Sequence, residues 1–254
     1  MEISVLASGS KGNCSYIGTY STKLLVDAGI SCIQIQKKLA ELEISPNEID
    51  GMIITHTHAD HINGLRVFLK KFHTKLYVTK KMYDELVEQM NIENYELINK
   101  SFSINDVEIT TIKTSHDVSD SNGYIFESRG KSIVYITDTG YINVKNHNLL
   151  ENKDLYVMES NHDIQMLMDG KYPYHLKQRI LGDKGHLSND DSAKYLSKFI
   201  GTKTKKIILI HLSQDNNTEQ LARKSLEKAL LKREKHVGSI IVSKQNERTE
   251  LIKI

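Results

Sequence analysis

Within IITHTHADHINGL, residues 53–65, three histidines and an aspartate crowd into six consecutive positions: His56, His58, Asp60 and His61. Imidazoles and carboxylates are ordinary ligands of divalent cations, and burying them without a partner forfeits their hydration. A cation would supply the partner. His56 and His58 lie two apart at the end of a β-branched run, so on an extended strand their side chains share a face. Asp60 and His61 follow where the chain turns into a helix and aim at a neighbouring point. One cation does not comfortably use all four, so the spacing predicts parts of two coordination shells.

Such a cluster needs elements to hold it, and the patterning supplies alternating strands and helices. ISVLAS, SYIG and TKLLVDAG read as short strands; Ser31 then reads as an N-cap for the helical CIQIQKKLAELE. IDGMIITH is the next buried strand, followed by the helical INGLRVFLKKF. KLYVT, SFSIN and VEITTIK continue the strands, with helical KKMYDELVEQM between the first two. GYIFES and KSIVYITD form a predicted hairpin across Arg129-Gly130. DLYVMES, helical DDSAKYLSKFI, KKIILIHL, helical TEQLARKSLEKALLKRE and the closing strands GSIIVS and ELIKI complete the series. Ligand-type residues recur at the ends of apolar strands, in LLVDAG, IITHTH, IVYITD and IILIH, where layered α/β folds gather their sites. The likeness of LLVDAG to YITDTG hints at two similar halves.

At 254 residues with two prolines and no Gly/Ser-rich linker, the expectation is one domain over 1–254. Hydrophobic content of 39% with 26% charged residues is ordinary for a globular protein and suggests neither disorder nor a membrane class. No apolar run is long enough to span a bilayer, and MEISVLASGS reads as a first strand, not a secretion signal. Cytoplasm is the default expectation. Cys14 and Cys32 alone make no disulfide framework. A net charge of +2 is silent about partners, and the local excesses at Lys70-Lys71, Lys80-Lys81, Lys203 to Lys206 and Lys232 to Lys235 read as solvated helix ends or loops.

THTHADH resembles the HxHxDH signature of the metallo-β-lactamase superfamily. That resemblance implies a four-layer αββα sandwich with a dinuclear metal site between two β-rich halves. It also implies three further ligands in order, a histidine, a bridging aspartate and a final histidine, for which the chain offers His116 in IKTSHD, Asp138 in YITDTG and His211 in LIHLS. On this carry-over His56, His58 and His116 hold one metal, Asp60, His61 and His211 the other, and Asp138 bridges. The mixed nitrogen and oxygen set suits two Zn²⁺ or Mn²⁺ ions. Two such cations roughly 3.5–4 Å apart can share a water and lower its pKa, so hydrolysis by metal-activated hydroxide is expected, with Asp60 among the catalytic residues.

Three more stretches bear on the substrate. DLYVMESNHD places Glu159 and His162 after a strand, GDKGHLSNDD presents His186 in a Gly-led loop, and LASGSKGNCSYI puts a Ser/Gly/Asn loop between the first two strands. His186 is a candidate proton donor to a leaving oxygen with Glu159 orienting it. Ser8, Ser10, Asn13 and Ser188 are candidate phosphate-cradling groups, although SGSKGN also suits a plain β-turn and GHLSN a helix N-cap. GHLSN resembles the GHST-type loop of the RNase Z branch, and the chain as a whole is similar to the YycJ/WalJ-type family, with LASGSxGN, HxHxDH, ESNHD and GHLSN spread from residue 6 to residue 211. That family resemblance implies a 5′-to-3′ exonuclease on double-stranded DNA, with RNA not excluded. No β-CASP-type clamp or RNase Z-style arm is evident, which argues against a tRNA-processing role. The alternatives are a glyoxalase II-like thioesterase or other small-molecule hydrolase, and a non-catalytic metal-stabilised binding module. The sequence carries no signal of oligomeric state.

Overall fold

The computed structural model describes residues 1–254. Short β-branched runs become strands: β1 (Glu2–Ala7), β2 (Cys14–Gly18), β3 (Lys23–Val26), β4 (Gly51–Ile53), β5 (Leu76–Val78), β6 (Tyr95–Leu97) and β7 (Ser101–Ile104). The series continues with β8 (Val107–Lys113), β9 (Asn122–Ser128), β10 (Lys131–Ile136), β11 (Leu155–Glu159), β12 (Lys206–Ile210), β13 (Ser239–Val242) and β14 (Ile252–Lys253). They form two seven-stranded sheets, ordered β14-β1-β2-β3-β4-β5-β6 and β13-β12-β11-β10-β9-β8-β7. Each is antiparallel on one side and parallel on the other, and the β9–β10 hairpin pairs Ser128 with Lys131 across Arg129-Gly130 as predicted. The two halves hinted at by LLVDAG and YITDTG are these two sheets: β3 carries the first motif and β10 the second.

Five of the helices, those starting at Cys32, Lys80, Ile164, Asn189 and Glu219, begin where a polar side chain satisfies a free amide. Ser31 closes a capping box with Gln34 at the start of α1 (Cys32–Ala40). After the single turn α2 (Ala59–Ile62) come α3 (Leu65–Phe72) and α4 (Lys80–Val87), the latter capped by Thr79. Next are α5 (His147–Leu150), α6 (Ile164–Asp169), α7 (Tyr174–Leu181), α8 (Asn189–Phe199) capped by Ser188, and α9 (Glu219–Lys232) capped by Thr218. None is long and apolar enough to cross a membrane.

Three apolar clusters show the layering. Between the sheets, Val5, Ile17 and Val26 meet Phe126, Ile133 and Leu155. Outside the first sheet, Ile35, Leu65, Phe68 and Leu86 seal α1, α3 and α4; outside the second, Leu196, Phe199, Leu226 and Leu230 seal α8 and α9. This is the αββα sandwich. Each fully buried Ile or Leu contributes roughly 1.5–3 kcal/mol, against about 1 kcal/mol for a typical hydrogen bond, so the apolar layers hold the sheets together and polar contacts set their register. Two such contacts cross between sheets beside the histidine cluster: Tyr124 Oη donates to the Ile54 carbonyl (2.7 Å) and the Asn122 amide to the Thr55 carbonyl (2.9 Å).

Candidate metal centre

The ends of β3, β4, β10 and β12 converge. Asp27 and His211 follow their strands directly and Asp138 follows β10 after Thr137; all three adopt left-handed backbone conformations, with φ of 63°, 57° and 48° respectively. That region costs a non-glycine residue about 1 kcal/mol or more, and it persists where surrounding structure imposes it. It turns each side chain back toward the gap between the sheets. The HxHxDH loop is seated against the loops after β1 and β3: the Asp60 carbonyl accepts from the Asn13 amide, the His61 carbonyl from the Ala28 amide, both at 2.8 Å. A Cβ on Gly29 would stand 1.7 Å from the Asp60 carbonyl oxygen, so only glycine permits this approach.

Within this frame the side chains of His56, His58 and His116 offer ligand atoms to one point, and those of Asp60, His61 and His211 to another. In His56, His61, His116 and His211 one ring nitrogen is held by the protein and the other faces the cluster, the division of labour that metal-ligating histidines require. His56 Nδ1 lies 3.1 Å from Thr55 Oγ1, and His56 Nε2 is buried with no hydrogen-bond partner. His116 Nδ1 faces the carbonyls of Lys184 and Gly185, both at 3.2 Å, while its Nε2 lies 3.2 Å from His58 Nδ1. His61 Nδ1 meets Asp27 Oδ2 at 2.8 Å, and His211 Nδ1 meets Asn13 Oδ1 at 3.1 Å. Asp138 stands between the groups: Oδ2 is 3.1 Å from His61 Nε2, while Oδ1 is 3.1 Å from His211 Nε2 and 4.0 Å from His116 Nε2.

The electrostatics agree. Burial, reinforced by the neighbouring His61, His116 and His58, pushes the His56 pKa well below its ordinary value and keeps the ring neutral. Burial also opposes charge on His61 and on Asp138, yet the attraction between them and from their other partners wins. His61 is held well above the ordinary histidine range, with Asp27 the largest contributor, and Asp138 well below the carboxylate range, with His211 the largest. A buried imidazole nitrogen without a partner, a carboxylate set between two groups of imidazoles, and a donor set of nitrogen and oxygen all fit divalent cations.

Beside this centre Glu159 is fully buried and accepts from the amides of Thr139 (3.0 Å) and Leu187 (3.3 Å); its Oε1 lies 2.6 Å from His186 Nδ1. Glu159 also stands with Asp138, His186 and His211 in a group whose ligand atoms lie within 4.8 Å of one another. Burial works against a charged His186, but Glu159, followed by Asp138 and Asp60, raises its pKa to about 9. His162, one turn of chain from Glu159, is buried with both ring nitrogens unpartnered, and burial pushes its pKa down to about 4.

Of the four residues expected to cradle phosphate, Ser10 lines the open cavity of about 290 Å³ above the cluster. The other three turn inward. Ser8 Oγ accepts from the His211 amide (2.7 Å), Asn13 ties His211, Asp60 and His61 together, and Ser188 caps α8 through the Asp191 amide. Their contacts hold the ligand-bearing loops, because a buried hydroxyl or amide must bond its nearest backbone groups before it can serve a solute. Sequence reasoning missed Asp27, although LLVDAG held the signal. It also missed Asp117, whose Oδ1 lies 3.6 Å from His58 Nε2 and whose Oδ2 receives Arg179 Nε at 2.5 Å. Arg179 comes from α7, which also brings Leu176 and Ile180 to the cavity wall.

Residues 22–212 match the model of the beta-lactamase superfamily domain. The exodeoxyribonuclease WalJ of Streptococcus pneumoniae serotype 2 is 40% identical over 245 residues, covering 93% of this chain and 91% of its own. The exodeoxyribonuclease YycJ of Bacillus anthracis is 38% identical over 237 residues, covering 91% and 89%. Among solved structures, the metallo-beta-lactamase fold protein YhfI from Bacillus subtilis superposes with a TM-score of 0.74 at 15% identity, covering 98% of this chain and 99% of that one. The short form of human tRNase Z superposes at 0.67, also with 15% identity, over the full length of both. At such identities these two establish the fold alone.

Proposed function

We propose, from the premise that the chain belongs to the beta-lactamase superfamily and is a metal-dependent hydrolase, that it is a single-domain dinuclear phosphodiesterase acting as a 5′-to-3′ exonuclease on double-stranded DNA. The observation that carries most weight is the position of Asp138, with Oδ2 3.1 Å from His61 Nε2 in one ligand group and Oδ1 4.0 Å from His116 Nε2 in the other. Two curated relatives named exodeoxyribonucleases, each covering about nine-tenths of the chain, support the substrate class.

In this reading His56, His58 and His116 would hold one Zn²⁺ or Mn²⁺ ion and Asp60, His61 and His211 the second, with Asp138 available to both. When bound, the pair supplies Lewis-acid stabilisation of the phosphoryl oxygens and an activated water. The chain's own groups do the rest. Arg179 and Lys184 present positive charge at the cavity wall, Ser10 a hydroxyl, and Leu176 with Ile180 an apolar face for a sugar or base. His186, held by Glu159, donates a proton to the departing oxygen, which would otherwise leave as a poor alkoxide. A thioesterase has little use for that dyad, because a thiolate leaves without acid help.

The test is purified protein given end-labelled duplex DNA with Mn²⁺ or Zn²⁺. Mononucleotides released from the 5′ end support the proposal; full activity in a His58→Ala, Asp138→Ala double variant refutes it. Relative rates on bis-p-nitrophenyl phosphate and a glutathione thioester separate the phosphodiesterase from the thioesterase.

A further inference from the structure

We infer that a lysine-lined groove next to the metal centre is a second binding site for the phosphate backbone of DNA, gripping the duplex beyond the bond that is cut; this deepens the nuclease reading and rests on it. The groove, about 480 Å³, is lined by Lys80, Lys81, Lys113, Thr114 and Ser121. It meets the catalytic cavity at His116, which lines both.

Lys80 and Lys81 are the solvated helix end that the sequence suggests, and that end faces the groove. Lys80 and Lys81 open α4 with no acidic residue in the first turn, so both ammonium groups oppose the helix dipole at the end where carboxylates are favoured. Lys80 pairs with Asp84 one turn on, whereas Lys81 is exposed and makes no ion pair. The positive end of the helix and its lysines therefore add to one potential facing the groove. The floor is fixed beforehand: Asp120 is buried, receives Thr79 Oγ1 at 2.5 Å, and pairs with Lys113, tying the start of α4 to the end of β8. Thr114 and Ser121 hydroxyls lie 2.6 Å apart on the same floor. Lys80 is paired with Asp84 and Lys113 with Asp120, so Lys81 is the lining's lysine without a carboxylate partner, and the exposed Lys80–Asp84 pair is weak enough to open to a phosphate.

Apart from the buried His116 the lining holds no aromatic ring, and its single apolar residue is Val118. A surface of ammonium and hydroxyl groups without a stacking platform suits phosphates and sugars and carries no means of reading bases. Its place against the catalytic cavity, across the buried His116, sets it apart from a random basic patch, since one backbone is long enough to reach both.

The test measures binding of a fluorescent 20-base-pair duplex to the full chain by anisotropy, in chelator, from about 25 to 200 mM salt. Because Glu suits the first turn of a helix, a Lys80→Gln, Lys81→Glu double variant keeps α4 folded. It is expected to bind at least tenfold more weakly at low salt. The slope of log affinity against log salt should fall by about two, one counterion-releasing contact per lysine. With Mn²⁺, its rate on duplex relative to bis-p-nitrophenyl phosphate should fall as well. Unchanged affinity and slope overturn the proposal, as does an equal loss in Lys232→Glu at the far end of α9. Wild-type protein that binds in this lysine-dependent way yet leaves the duplex uncut supports the groove and counts against the nuclease reading.

Discussion

Asp27 and Asp138 face opposite nitrogens of one imidazole: Asp27 Oδ2 is 2.8 Å from His61 Nδ1, and Asp138 Oδ2 is 3.1 Å from His61 Nε2. Both carboxylates follow a strand and both have left-handed backbones, one in each sheet. Equivalent places in the two halves have thus taken different work, Asp27 orienting the ring and Asp138 facing the gap where a cation would sit.

Asp27 is therefore expected to set metal affinity without touching metal. Asp27→Asn should lower divalent-metal affinity about 10–100-fold, the usual effect of losing the partner behind a ligating histidine. Isothermal titration of the chelator-treated variant measures it, and circular dichroism confirms that the fold survives.

The dyad of Glu159 and His186 should matter in proportion to how badly the leaving group needs a proton. His186→Ala is expected to lower kcat on DNA by about 10²–10⁴, but to cost much less on bis-p-nitrophenyl phosphate, whose phenolate leaves unaided. Glu159→Gln should follow the same pattern. Equal losses on both substrates would assign the pair a purely structural role.

Gly29→Ala should disturb the HxHxDH loop from outside the site. The added methyl meets backbone on both sides, 1.7 Å from the Asp60 carbonyl oxygen and 2.6 Å from the Asn13 nitrogen, so no side chain can yield. A loss of about 1–3 kcal/mol or more in urea unfolding is expected, together with reduced metal content.

Asp106 provides a pH dependence at the end of the sandwich away from the site. Its carboxylate accepts from Thr19 Oγ1 (2.7 Å), Thr22 Oγ1 (2.5 Å) and Ser128 Oγ (3.1 Å), joining turns of both sheets. Partial burial pushes its pKa up, but those hydroxyls together hold it well below the usual carboxylate range. A carboxyl depressed in the folded state stabilises above its unfolded pKa and loses that contribution as pH falls through the folded value. Asp106→Asn should therefore cost about 1–3 kcal/mol at pH 7, and the gap from the unaltered protein should narrow below about pH 4.

Much of this was legible in the sequence. Period and capping gave the main strands and helices because their apolar faces and N-caps are local, as Ser31 with Gln34 shows. Helix α7 was not legible: it starts after Pro173, buries no residue fully, and its cavity-facing Leu176 and Ile180 make too thin a stripe. Strand β6 is three exposed edge residues without alternation. For the site, types and spacing pointed to His56, His58, Asp60 and His61, and the family resemblance to His116, Asp138 and His211, but Arg179 reaches Asp117 across 62 positions, a pairing that only the packed fold creates. The serines went the other way. Their Gly-rich settings suggested open loops, and packing turned Ser8 and Ser188 inward.

Metal stoichiometry bears on the central claim most directly. Purified protein dialysed against Zn²⁺ or Mn²⁺ and analysed by mass spectrometry of its elements should carry about two ions per chain, falling to about one in His58→Ala and in His211→Ala. Fewer than one ion in the unaltered protein, or a content that neither substitution changes, would contradict it.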